Sequence, residues 1–210
     1  AEQEWVLEPG DMLYLPPGVA HHGVALEPGM TWSIGARAPS AADLLQGFGE
    51  WLAFHTDEGG RYSDAALKPA ARAGEIDQLA LQGLGELLRS KVADRQTLHH
   101  FLAAFMSRFR LANEPAPPAA AMLADEVAGA LKNGATLMRN PWTRLVWIET
   151  AGTARLYAAG QPHDCSTWLA ESLCKSICPN IGTDTLDQAS LEVITSLVNS
   201  GHFLLGPDTV

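Results

Sequence analysis

The hydrophobic period of this sequence changes at Pro39, and that switch limits the folds open to the chain more than any other feature. Before it, apolar residues come in short runs (5–7, 12–15, 24–26 and 30–34) broken by turn chemistry every few residues, the pattern of short β-strands. Glu8-Pro9-Gly10 recurs as Glu27-Pro28-Gly29. Proline presets φ at the first central position of a type II turn and glycine supplies the positive φ at the second, so both are expected to be turns of a meander or jelly-roll segment. After Pro39 the period becomes helical. Ser40 is expected to cap a helix carrying Leu44, Leu45, Phe48, Trp51, Leu52 and His55, ended by Gly59-Gly60. A second helix runs around Ile76, Leu79, Leu84, Leu87 and Leu88, and a third carries Leu98, Phe101, Leu102, Phe105 and Phe109 on one stripe. Three such helices beside a small sheet offer a large apolar face, part of which is expected to meet a second copy of the chain.

Glu114-Pro115-Ala116-Pro117-Pro118 reads as a linker, because clustered prolines cannot continue a helix and hold the backbone extended. Beyond it the sequence predicts a helix over 119–132, strands over 144–148 and 153–157 joined by a turn at Ala151-Gly152, helices over 166–177 and 185–199, and a short strand over 202–205. Helices around a small hairpin suggest a winged-helix-like module. The expected class is α+β: terminal β-strands in 1–39, a helical region in 40–113, the linker 114–118, and a winged-helix-like domain in 119–210.

Charge narrows the partners. Twenty-four acidic residues against 14 basic ones give a net charge of -10, which repels phosphate backbones. The helix expected over 166–177 holds Lys175 but also Glu171, whereas a DNA-reading helix needs clustered Lys and Arg, so direct DNA binding is not expected. No apolar run reaches the roughly 18 to 20 residues of a membrane span, and residues 1–4 carry no secretion signal. Three cysteines, Cys165, Cys174 and Cys178, fit a reducing compartment, here the cytoplasm. The opening without Met, straight into strand-like residues, suggests a piece of a longer protein.

The chemistry concentrates in residues 8–23, "EPGDMLYLPPGVAHHG". Five residues separate Gly10 from Pro16 and four separate Pro16 from His21, the Gly, Pro, His spacing of the second motif of double-stranded β-helix (cupin) folds. In that arrangement a strand reaches the barrel mouth, Pro16-Pro17-Gly18 turns it, and His21 points inward at a metal position. His22 faces the other way on an extended chain. The alternative is that both are surface turn residues. The longer stretch 7–45, "LEPGDMLYLPPGVAHHGVALEPGMTWSIGARAPSAADLL", resembles the end of the catalytic domain of the bacterial JmjC-type ribosomal oxygenases, with their EPGD, PPG, H, G, ALE and S-G-RAP succession. The resemblance implies an Fe(II)- and 2-oxoglutarate-dependent dioxygenase with a jelly-roll core, a helical dimerisation region forming a homodimer, and a winged-helix domain. Its bacterial members hydroxylate an arginine of large-subunit ribosomal protein number sixteen. It makes His21 the distal iron ligand of a two-histidine, one-carboxylate triad, and places Thr31 and Ser33 near the cosubstrate. The other ligands should come from an upstream His-x-Asp, and residues 1–20 contain no histidine. His55-Thr56-Asp57 lies after His21 at a helix end before Gly59-Gly60 and reads as a partly buried helix-face histidine and a solvated aspartate. Arg37 is available as a stand-in for the family's cosubstrate-binding basic residue, with nothing to favour it over a surface arginine. This chain alone is therefore expected to hold no stoichiometric iron and to be inactive. The rival readings are a non-catalytic cupin-like scaffold and a winged-helix transcription factor with an oligomerisation region.

Two further groups belong to structure rather than chemistry. His163, Cys165, Cys174 and Cys178 lack the tight spacing of structural zinc, and Cys174 reads as a core residue beside Leu173 and Ile177. His99 and His100 diverge by about 100° on a helix, so one is expected to be packed and the other exposed.

Overall fold

Residues 3–35, 37–55, 61–63, 68, 72–182 and 186–206 are described by the computed structural model of the chain. They fall into two units, Ala1–Ala38 and Pro39–Val210, each described by itself.

The first unit forms turns but no ladder. Asp11 N donates to Glu8 O at 3.0 Å and Gly10 takes φ +98°, so Pro9-Gly10 makes the expected type II turn. Pro17-Gly18 makes a second, with Val19 N donating to Pro16 O at 3.3 Å and Gly18 at φ +80°. Glu27-Pro28-Gly29 does not: residues 26–28 bend without the hydrogen bond, and Gly29 is not left-handed. The four expected strands are likewise not paired among the described residues, and Met12 and Ile34 stand 92% and 91% exposed. The reason is physical. A short apolar run becomes a strand only when a neighbour takes its N–H and C=O groups, and these runs find none among the described residues.

In the second unit, side-chain caps set most helix starts. Ser40 and Asp43 open α1 (Ala41–His55) reciprocally, Asp43 N donating to Ser40 Oγ and Ser40 N to Asp43 Oδ2 at 2.8 Å. Asp77 caps α2 (Gln78–Ala93) and Asp94 caps α3 (Arg95–Arg108). The next helix begins later than its sequence pattern suggests: α4 spans Ala124–Lys132, because Met122 N donates to Asn199 Oδ1 and Asn199 Nδ2 to Met122 O, holding residues before it extended. Glu126 reaches back to Leu123 N at 2.8 Å. There follow β1 (Thr136–Arg139), β2 (Leu145–Thr150), β3 (Thr153–Ala158), β4 (Gln161–Cys165), α5 (Thr167–Lys175), α6 (Gln188–Asn199) and β5 (Phe203–Gly206). Ser166 and Asp187 cap α5 and α6; Thr185, where the last helix is expected to start, lies outside the described residues.

β2, β3 and β4 form an antiparallel meander, and β1 pairs antiparallel with β5. Both meander turns are two-residue Ala-Gly turns, Ala151-Gly152 and Ala159-Gly160, with every central φ between +47° and +86°, the mirror-image turns that suit strand twist.

Strand period decides what each face covers. Ala154, Leu156 and Ala158 of β3 point into the main core with Val127, Leu137, Leu169, Leu173, Ile194, Leu197 and Phe203. Tyr157, between them, points the other way and packs with Val146 and Ile148 of β2 against Ala103 and Ala104 of α3. The sheet is thus covered on both faces, and α3 is part of its cover although it precedes the proline stretch. α1 lies on α3 through Phe48 and Phe101, ring centroids 5.0 Å apart. α2 buries no residue completely, and Leu81, Leu84, Leu88 and Val92 form an exposed stripe along it.

Candidate functional site

His21 sits three residues beyond the Pro17-Gly18 turn. The turn is the local reason for its placement, since Gly18 alone there takes a left-handed φ. The ring is exposed, with Nδ1 3.1 Å from Val19 O. A carbonyl can only accept, so Nδ1 carries the proton and Nε2 presents its lone pair outward, the tautomer a metal-binding imidazole needs. His22 is exposed as well. Thr31 and Ser33 lie in extended chain two residues apart and face solvent; among the described residues no hydrogen bond joins either to His21. Arg37 is exposed.

A metal of the triad type needs three donors. Among the described residues no group of three His, Cys, Asp or Glu is placed to hold one, so the residues at hand do not make that site and His21 is a single donor. His55 is occupied otherwise: its Nδ1 lies 2.8 Å from Trp51 O, and its ring stacks on Trp51 with centroids 4.3 Å apart. Asp57, its proposed companion, lies outside the described residues. The cysteines are not a metal set. Cys165 and Cys174 pack against the main core, where burial pushes the Cys165 thiol up to about 11 and raises Cys174 too, while Cys178 is exposed.

The polar seam between α3 and the sheet is not legible in the sequence. Arg155 on β3 grips Asp164 on β4 with two bonds, Nε to Oδ1 at 2.5 Å and Nη2 to Oδ2 at 3.0 Å, across paired register positions. His100 of α3 lies 2.6 Å from Tyr157 Oη through Nδ1, and 3.5 Å from Arg155 Nη1 through Nε2. A neutral ring with its proton on Nδ1 makes both contacts. Burial first, and then the Arg155 charge, lower the His100 pKa; the Arg155 hydrogen bond lowers that of Asp164. His99 is exposed, as the helix geometry requires of one of the pair. The missing signal is β4: without it, nothing sets Asp164 opposite Arg155. His202 is buried, its Nδ1 3.0 Å from Thr143 Oγ1, and burial lowers its pKa.

A three-stranded antiparallel meander with tight turns, three helices packed on one face and a short closing β-pair define a winged-helix protein with an additional helix on the opposite face. Residues 88–203 match the family model described as ROXA-like winged helix, more than half of the chain. The chain belongs to that family. Residues 1–44 match the JmjC domain. It is 31% identical over 197 residues to the ribosomal protein uL16 3-hydroxylase of Escherichia coli (strain K12), covering 94% of this chain and 53% of that protein. It is 28% identical over 180 residues to a probable ribosomal oxygenase of Haemophilus influenzae, covering 79% and 41%. A solved structure of the Escherichia coli ribosomal oxygenase YcfD in complex with cobalt and 2-oxoglutarate superposes with TM-score 0.66 at 25% identity, over 80% of this chain and 47% of that one. The chain spans about half the length of the curated relatives it matches.

Proposed function

We propose that this chain is the C-terminal part of an Fe(II)- and 2-oxoglutarate-dependent oxygenase that hydroxylates an arginine of ribosomal protein uL16. One observation carries the reading: a JmjC match and a ROXA-like winged-helix match follow each other in one chain, in an alignment running along 94% of it to a uL16 3-hydroxylase. The cobalt and 2-oxoglutarate bound by YcfD support the cosubstrate and the need for a metal.

In this reading residues 5–34 complete a jelly roll in the whole protein, and His21 contributes one metal ligand through Nε2. Thr31 and Ser33 stand near the cosubstrate. Because the described residues supply one donor of three, they are assigned no reaction step. The exposed leucine stripe of α2 is read as the homodimer contact. No helix among the described residues is long and apolar enough to cross a membrane. A ribosomal protein substrate supports a cytoplasmic location. The net charge of -10 suits a basic ribosomal protein and disfavours direct DNA contact.

The test uses the longer protein, with an upstream His-x-Asp, incubated with uL16, Fe(II), 2-oxoglutarate and oxygen. Mass spectrometry should find one added oxygen on an arginine, and His21→Ala should abolish it without changing the circular dichroism spectrum. No oxygen added to uL16 overturns the substrate; full activity in His21→Ala overturns the ligand.

A further inference from the structure

One groove among the described residues of this acidic chain is cationic. A groove of about 330 Å³ lies between the end of α3 and the β1–β2 loop, lined by Leu111, Arg139, Pro141, Thr143, Arg144 and Leu145. Two arginines and no carboxylate line it, in a chain with ten more acidic than basic residues.

The two guanidiniums differ in what they already hold. Arg144 donates through Nη1 to Met106 O at 3.1 Å and to Phe109 O at 2.8 Å, the free carbonyls at the end of α3. Both protons of Nη1 are used there, which fixes the plane of the fork. The opposite edge, Nε and Nη2, keeps its parallel donors, the geometry that takes an oxyanion bidentately. Arg139 is half-buried at the end of β1, where its backbone is tied to Ile177 O. Its guanidinium makes no hydrogen bond or ion pair among the described residues. The contrast is Arg155, which lines another groove but is already neutralised by Asp164, with Asp187 also on that wall. Beside the two cations, Leu111, Pro141 and Leu145 make an apolar wall, and Trp142 stands exposed next to them.

We propose that this groove binds an acidic peptide segment, one carboxylate on the Arg139–Arg144 pair and a neighbouring apolar side chain against Leu111, Pro141 and Leu145. Charge decides the class of partner. A single carboxylate meets two local cations, whereas a nucleic-acid strand would bring many phosphates toward a chain of net charge -10. The site differs from the acidic surface assigned to a basic substrate, so it takes a different partner or a different segment of one.

The experiment uses the 210-residue chain and fluorescence anisotropy with a labelled peptide of alternating glutamate and leucine, its glutamine counterpart, and a labelled single-stranded RNA. The glutamate peptide should bind and the glutamine peptide should bind at least about tenfold more weakly. Arg139→Gln should weaken the glutamate peptide by about tenfold and leave thermal unfolding nearly unchanged, since its guanidinium makes no hydrogen bond or ion pair among the described residues and Gln keeps part of its stem. Arg144→Lys keeps the charge but loses the fork and should also weaken it; a lowered melting temperature in that variant is checked against Arg139→Gln. Equal binding of both peptides, unchanged binding by Arg139→Gln, or RNA binding that Arg139→Gln abolishes would each overturn the proposal. None of these results bears on uL16 hydroxylation.

Discussion

Gly201 is where the C-terminal unit is most tightly fitted, and replacing it with alanine tests that fit. It sits between α6 and β5 at φ +76°, and a Cβ there would fall 2.0 Å from Ala116 O, far inside contact distance and against backbone that cannot swing away. Two effects add. Left-handed backbone costs a non-glycine residue about 1 to 2 kcal/mol. Displacing the 116–117 backbone also strains the Asn140 Nδ2 bond to Gly201 O and the Asn199–Met122 pair, each bond worth about 0.5 to 1.5 kcal/mol net. The sum for Gly201→Ala, if all three bonds are lost, is about 2.5 to 6.5 kcal/mol, a fall in melting temperature of roughly 5 to 26 °C for a unit of this size. Gly134→Ala isolates the first effect: Gly134 has φ +88° and nothing lies within 4 Å of where its Cβ would stand, so only the backbone penalty applies. Thermal unfolding followed by circular dichroism compares the two. If Gly201→Ala melts no lower than Gly134→Ala, the reasoning that residues 116–117 are clamped against Gly201 fails.

Acid should loosen the same unit. Burial lowers the pKa of His100, His163 and His202, so below about pH 6.5 the unfolded chain binds more protons than the folded one. Stability is then complete above that pH and declines as pH falls; urea midpoints equal at pH 7.5 and 5.5 would contradict it. Cys178 should alkylate first in the native chain, with Cys165 and Cys174 protected until unfolding, as peptide mass mapping after brief iodoacetamide treatment would show. Serine at Leu81, Leu84 and Leu88 together should turn dimer into monomer in sedimentation equilibrium while hardly moving the melting temperature, because those side chains are exposed within one chain; a dimer unaffected by them places its contact elsewhere.

What the sequence reveals follows the range of the interactions concerned. Ser40 as a cap, Pro9-Gly10 as a type II turn and Ala151-Gly152 as a hairpin turn depend on a few neighbouring residues, and all three form. Ala159-Gly160 carries the same dipeptide signal eight residues on, but the strand it introduces, β4, is masked by Pro162, which suppresses the strand pattern yet is tolerated on an edge strand. β1 is four residues long and exists only because β5 pairs with it from far along the chain. Pairing also accounts for residues 5–34, whose short apolar runs predict strands that no neighbour among the described residues completes. Of the candidate site, spacing singles out His21 but not its contact with the Val19 carbonyl, because that contact depends on the turn.

The packing of α3 beneath the meander has a practical corollary for anyone wishing to cut the protein. The prolines at 115, 117 and 118 invite severing there, yet a piece beginning at residue 119 would leave Tyr157, Val146 and Ile148 as a bare oily plate and take from Gly160 N its Ser107 Oγ acceptor, 2.7 Å away in the whole chain. Such a piece should clump. A piece that keeps this cover starts at Asp94, the residue that caps α3.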